Sequence, residues 1–171
     1  MPELPQPREK HRAAIALGSN LSSSFGQPRD NILAAVDRIR SLGRVAAVSS
    51  LIVTDPEIYT DQPQFVNAAL VLETELSPIE LLHALLEIER QLGRIRTGVP
   101  PKGPRVIDLD LIFYDDIVME TDELTLPHPG AATRSFVLKP LAEIAGDWVH
   151  PVTRVLVGVM VNAPEDRPLQ G

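Results

Sequence analysis

The stretch FVNAALVLETELSPIELLHALLEIERQLG, residues 65–93, runs from a strand directly into a helix. Phe65–Thr74 is rich in Val, Leu and Ala and reads as a strand. Ser77 then supplies a capping hydroxyl, Pro78 suits the first helical position, and Glu80 completes a capping box. Leu81, Leu82, Leu85, Ile88 and Leu92 follow at helical spacing, and Gly93 gives a stop.

The same reading extends in both directions. Toward the N-terminus, Ala13–Leu17 is a short apolar run ending at Gly18-Ser19-Asn20 and reads as a first strand. Gln27–Leu42 carries Ile32, Leu33, Val36 and Ile39 at helical spacing, with Gly43 behind it. Val45–Val53 reads as one β-branched strand, and Thr54–Gln64, with three acids and two prolines, as a loop. Toward the C-terminus, Thr97–Pro104 is a Gly/Pro-rich loop, Arg105–Tyr114 a strand and Glu123–Pro127 a short strand. Pro140–Ala145 is expected to begin a helix. The order β-α-β-β-α-β predicts an α+β chain: a ferredoxin-like α/β/α sandwich with a central antiparallel sheet and helices on both faces. No G-x-x-x-x-G-K-[ST] or G-x-G-x-x-G occurs, which removes the usual nucleotide-binding α/β folds.

The 171 residues suit one domain, expected over residues 13–160 between a leader (1–12) and a tail (161–171). No run of 18 apolar residues predicts a membrane span, and the opening MPELPQPREKHR lacks the apolar core of a signal peptide. With no cysteine, disulfides, thiolate catalysis and Cys-based zinc sites are excluded. A cytoplasmic monomer is expected. The net charge of −7 argues against a nucleic-acid partner. The charge is uneven, however. Arg90, Arg94, Arg96, Lys102 and Arg105 form an acid-free basic segment, which suits either a local anion site or a solvated face.

That segment runs into Asp108-Leu109-Asp110. Alternation along a strand puts both acids on one face, with Cα atoms roughly 6–7 Å apart. Two carboxylates so close repel, and a hard divalent cation with oxygen ligands offsets that cost. A solvent-facing acid pair is the plainer alternative, and D-x-D alone does not separate the two. Acids for metal and arginines for phosphate oxygens together are the recurring parts of phosphoryl transfer. His128, held between Pro127 and Pro129, suits either a phosphate contact or a turn. Phe65 and Phe136, two of only seven aromatics, fit a plain core, and Glu89 either pairs with an arginine or serves a site. A non-catalytic ligand-binding module on the same fold also fits. A metal-dependent phosphodiesterase would need more ligands than the acids' surroundings offer.

Five segments in order narrow these alternatives: Ala16–Leu21; Asp61-Gln62-Pro63 with Phe65–Ala69; Glu89 through Arg96; Gly103–Asp110; and Pro127-His128-Pro129 with Arg134–Leu138. Together, from about Ala14 to Pro151, they resemble the 6-hydroxymethyl-7,8-dihydropterin pyrophosphokinases of folate biosynthesis. The resemblance implies transfer of pyrophosphate from ATP to the hydroxymethyl group of a reduced pterin, with AMP released. It implies that Asp108 and Asp110 hold two Mg2+ ions, and that Arg94 and Arg105 stabilise charge. Glu89, His128 and Arg134 would serve ATP. Phe65 and Phe136 would sandwich the pterin, with Asn67, Thr54 and Asp55 at its edge. Both long loops are expected to close over the site. The chain departs from some relatives in having Lys102 where they carry a tryptophan, Asp55 where a proline is common, and Gly130 where a basic residue follows Pro-His-Pro.

Overall fold

The computed structural model describes residues 8–56, 61–94 and 103–162. Strand β1 (His11–Ser19) leads into helix α1 (Pro28–Ile39), which ends in a 3-10 turn at Arg40–Leu42. Strands β2 (Arg44–Val48), β3 (Ile52–Thr54) and β4 (Phe65–Thr74) precede helix α2 (Pro78–Gln91) and strand β5 (Asp108–Tyr114). A two-stranded ribbon follows, β6 (Met119–Glu120) against β7 (Thr125–Leu126), and then helices α3 (Ser135–Ala145) and α4 (Val157–Met160). Every pairing in the main sheet is antiparallel. The order is β2-β4-β1-β5, with β3 continuing the β2 edge along β4.

The capping box at Ser77 forms as expected. The Ser77 hydroxyl accepts from the Glu80 N–H at 3.2 Å, while the Glu80 carboxylate accepts from the Ser77 N–H at 2.9 Å. Gly93 then takes φ 96, a left-handed turn that favours glycine.

Alternation along β1 and β4 divides the apolar residues between two layers. Ala13, Ile15, Leu17, Ala68, Leu70 and Leu72 pack with Ile32, Val36, Leu81 and Leu85 of α1 and α2. Ala14, Ala69 and Val71 pack with Val137, Leu138 and Leu141 of α3, with Trp148 and with Val157 of α4. The register of β1 with β5 shifts at Ala14/Ile15, leaving Ile112 as an extra residue. That bulge turns Phe113 into the α3 layer while Leu109 and Leu111 stay in the other.

Five expectations need correction. The strand expected over Val45–Val53 is two strands. Ser49 bonds Ala69 twice, giving its N–H to the carbonyl at 2.9 Å and receiving the Ala69 N–H on its hydroxyl at 2.8 Å. Ser50 turns away to the Glu143 carboxylate of α3, which accepts from its N–H at 3.1 Å and its hydroxyl at 2.8 Å. The strand expected from Arg105 begins at Asp108, because the Arg105 backbone bonds Asn20 instead. Helix α3 begins at Ser135, five residues before Pro140, which lies inside it. The short strand near Glu123–Pro127 is real, but its partner β6 was not anticipated. Strand β1 also starts at His11, two residues ahead of the apolar run. Residues 1–7 of the expected leader and 163–171 of the expected tail fall outside the described residues. No helix among the described residues is long and apolar enough to cross a membrane.

Candidate active site

The α3 face of the sheet carries a row of three residues at one end. Gly18 of β1 pairs with Asn67 of β4 on one side and Asp108 of β5 on the other. A Cβ added at Gly18 would lie 3.0 Å from the Asn67 side-chain oxygen, so glycine leaves the floor open between amide and acid. One row further in, Ala16 separates Ala69 from Asp110. Above this floor lies a cleft of about 630 Å³, open solvent at its mouth included.

Thr54, Asp55, Phe65 and Asn67 line the cleft from the end of β3 and from β4, and Arg134, Phe136 and Val137 line it from the start of α3. Arg105, Asp108 and Asp110 stand at the end, and Ala16, Leu17 and Gly18 complete the lining. The Asn67 side-chain N–H donates to the Thr54 hydroxyl, tying β4 to β3. The Arg105 guanidinium sits 5.4 Å over the Phe65 ring, and that of Arg134 5.9 Å from the Phe136 ring. Each aromatic therefore has an arginine beside it, within reach of cation–π attraction.

The acids are held by a charged network. Glu89, in the last turn of α2 and 2% exposed, accepts from the Leu109 N–H at 2.7 Å and from Arg94 at 2.8 Å. The same Arg94 nitrogen donates to Asp108 at 2.9 Å, and Arg105 reaches the other Asp108 oxygen at 3.2 Å. Burial pushes the Asp108 carboxyl up, but the two guanidinium charges outweigh it and hold the group below the usual carboxylate range. Asp110 has the opposite balance. Burial, then the charge of Asp108 beside it, pushes its carboxyl up to about 7. Asp108 and Asp110, two positions apart, thus shift in opposite directions; among the described residues Arg94 and Arg105 hydrogen-bond to Asp108.

The structure brings nine of the twelve anticipated side chains to the cleft lining. Arg94 touches Asp108 from the α2 side, and Glu89 lies beneath it, buried. His128 stands on the loop ahead of α3 and does not line the cleft. Its ring nitrogen Nδ1 accepts from the Gly130 N–H at 3.0 Å, so the proton of the neutral ring sits on Nε2. Arg90 turns to solvent and pairs with Glu87. Arg96, Lys102 and most of the Thr97–Pro104 loop lie outside the described residues, as do 57–60 of the Thr54–Gln64 loop.

Asn20 has a part that the sequence did not reveal. It accepts the Arg105 N–H at 2.8 Å and donates to Gln62 at 2.8 Å and to the Pro63 carbonyl at 3.0 Å. It therefore joins the end of β1 to the two segments that carry Arg105 and Phe65. The signal was present as Gly18-Ser19-Asn20, but its partners are 42 and 85 residues away.

Comparison with known proteins adds a family. That described as 7,8-dihydro-6-hydroxymethylpterin-pyrophosphokinase (HPPK) matches residues 14–146. The 2-amino-4-hydroxy-6-hydroxymethyldihydropteridine pyrophosphokinase of Pseudomonas aeruginosa is 40% identical over 155 residues, 90% of this chain and 92% of that protein. Folic acid synthesis protein fol1 of Schizosaccharomyces pombe is 45% identical over 82% of this chain, but this chain spans only 19% of its length. The Pneumocystis carinii and Dictyostelium discoideum counterparts are likewise matched over 18% and 22% of their lengths. In structure, the Plasmodium falciparum HPPK-DHPS with STZ-DHP superposes with a TM-score of 0.69 at 15% identity, covering 91% of this chain and 42% of that one. At that identity the likeness bears on the fold alone.

Proposed function

The chain belongs to the 7,8-dihydro-6-hydroxymethylpterin-pyrophosphokinase family, and from that premise we propose that it transfers pyrophosphate from ATP to 6-hydroxymethyl-7,8-dihydropterin. The products are the pterin diphosphate and AMP, in folate biosynthesis. The observation that carries this reading is the single cleft in which an aromatic pair, an amide, two acids and two arginines meet.

The pterin is a flat, polar-edged ring. Phe65 and Phe136, which both line the cleft, suit its faces, where stacking gives both area and geometry. The Asn67 amide suits its edge, with Thr54 and Asp55 beside it. The hydroxymethyl group then faces the acid end of the cleft. Its oxygen attacks the β-phosphorus in line and releases its proton to solvent, while the bond from that phosphorus to the α-phosphate oxygen breaks and AMP leaves with that oxygen. Arg94 and Arg105 stabilise the spreading charge by position rather than by covalent chemistry. Arg134 binds ATP from the start of α3, with His128 reached through its Nε2–H. Glu89 acts on the nucleotide through Arg94.

Asp108 and Asp110 are the residues that would hold Mg2+, two ions in this reading. The donor set fits. Two adjacent carboxyls face the cleft, and burial together with the charge of Asp108 pushes Asp110 up to about 7, a cost that a bound cation would offset. Among the described residues no group of three or more acidic or histidine side chains could hold a metal. Magnesium usually takes one or two carboxylates, and its remaining ligands would be phosphate oxygens and water. When bound, the metal supplies neutralisation of the polyphosphate charge.

The sheet order and the two helix layers support a ferredoxin-like core within one domain. The reading extends to a cytoplasmic monomer with no nucleic-acid partner, supported by the acidic, cysteine-free chain. Incubation with ATP, magnesium and the hydroxymethyl-dihydropterin tests the proposal: AMP and pterin diphosphate form together. Formation of ADP, or of nothing, refutes it.

A further inference from the structure

We infer that Gly130 is a positioning residue for nucleotide binding, acting by the space it leaves for Arg134. The inference rests on the ATP reading above. An ideal Cβ at Gly130 would lie 2.7 Å from Cδ, 2.7 Å from Nε and 3.0 Å from Cζ of Arg134. The first two separations are shorter than van der Waals contact allows, and the third is tight. The arginine stem therefore lies in the hollow that a missing side chain leaves, and this sends its guanidinium toward Phe136 and the cleft.

The backbone does not demand glycine here. Gly130 is not among the residues of positive φ, which are Gly26, Gly43, Gly93, Asp115 and Arg154. Alanine fits this conformation, and the only objection to it is a flexible side chain. Arg134 can yield by rotating, whereas the fold need not move. Gly130 also gives its N–H to His128 and its carbonyl to the Arg134 N–H at 3.1 Å. Alanine keeps both bonds. The substitution Gly130→Ala thus changes the aim of Arg134 and nothing else that the geometry identifies.

A double-mutant cycle tests this. Magnesium with a nonhydrolysable ATP analogue is titrated by calorimetry into the wild type, Gly130→Ala, Arg134→Ala and the double variant, with melting temperatures measured alongside. Gly130→Ala is expected to weaken binding roughly tenfold, the scale of one charge-assisted contact, with an unchanged melting temperature. In the Arg134→Ala background the same change is expected to alter binding less than about twofold, because its target is gone. Equal weakening in both backgrounds, or none in the single variant, overturns the inference. A wild type that binds no nucleotide sinks the ATP reading itself, and the inference with it.

Discussion

Arg94 and Asp108 lie 14 residues apart in the chain and 2.9 Å apart across the candidate site. The same Arg94 nitrogen also reaches Glu89. One guanidinium is therefore shared between a buried acid of α2 and a cleft-facing acid of β5. The relationship makes the end of α2 part of the site, and it sets a different expectation for each acid.

Glu89 is the structural partner of that pair. The substitution Glu89→Gln keeps an acceptor for the Leu109 N–H but removes the charge that opposes Arg94. Breaking a buried ion pair from one side costs about 3–5 kcal/mol, and part is recovered here because Asp108 remains. A loss of about 2–3 kcal/mol in urea denaturation is expected on those grounds, together with a raised KM for ATP. Unchanged stability would show that Arg94 does not depend on Glu89.

Asp110 is the functional member. Its carboxyl is raised to about 7 in the folded protein, against 3.8 as the ordinary value. The unfolded chain releases that proton first, so the stability this group contributes is full below about pH 4 and is lost as pH rises through 7. The substitution Asp110→Asn removes the loss. In EDTA at pH 7.5 the variant is expected to be more stable by about 1–3 kcal/mol, after discounting for partial exposure. It is also expected to be inactive, as are Asp108→Ala and Asp110→Ala in folded protein. Retained turnover in any of the three would remove the metal assignment.

A second pH effect arises far from the cleft. His150 is 5% exposed, and its Nδ1 accepts from the Val152 N–H at 3.2 Å and the Thr153 N–H at 3.1 Å. Burial lowers its pKa below 6.5. A depressed histidine contributes stability that is present above 6.5 and lost as pH falls through the folded value. Thermal melts between pH 7.5 and 5 are expected to fall more steeply for the wild type than for His150→Gln. Parallel curves would contradict the neutral assignment.

Magnesium dependence gives a fourth expectation. Chelation by EDTA is expected to weaken binding of a nonhydrolysable ATP analogue at least tenfold, since the acids then face phosphate oxygens directly. Affinity unchanged by EDTA would instead favour a binding module without catalytic metal.

Features set by local chemistry were legible in the sequence. The Ser77 box, the Gly93 stop and the Phe65–Thr74 strand appear where spacing predicted them, because neighbours in sequence make each one. The acids were legible for the same reason, since alternation around Leu109 decides their face. What escaped was set by distant partners. The break between β2 and β3 depends on Ser49 meeting Ala69 and Ser50 meeting Glu143. The late start of β5 depends on Asn20. The start of α3 at Ser135 escaped because Pro140, which lies inside the helix, reads by itself as a first-turn residue. In the site, nothing adjacent to Gly18 or Gly130 signals that their value is an absent side chain.

The central claim is transfer of a diphosphate unit, with attack at the β-phosphorus. Phosphorus NMR of a reaction containing the protein, ATP, magnesium and 6-hydroxymethyl-7,8-dihydropterin tests it most directly. The account predicts AMP and pterin diphosphate in equal amounts, with both dependent on the pterin and lost in Asp110→Asn. ADP with a pterin monophosphate, or AMP released without pterin, would contradict it.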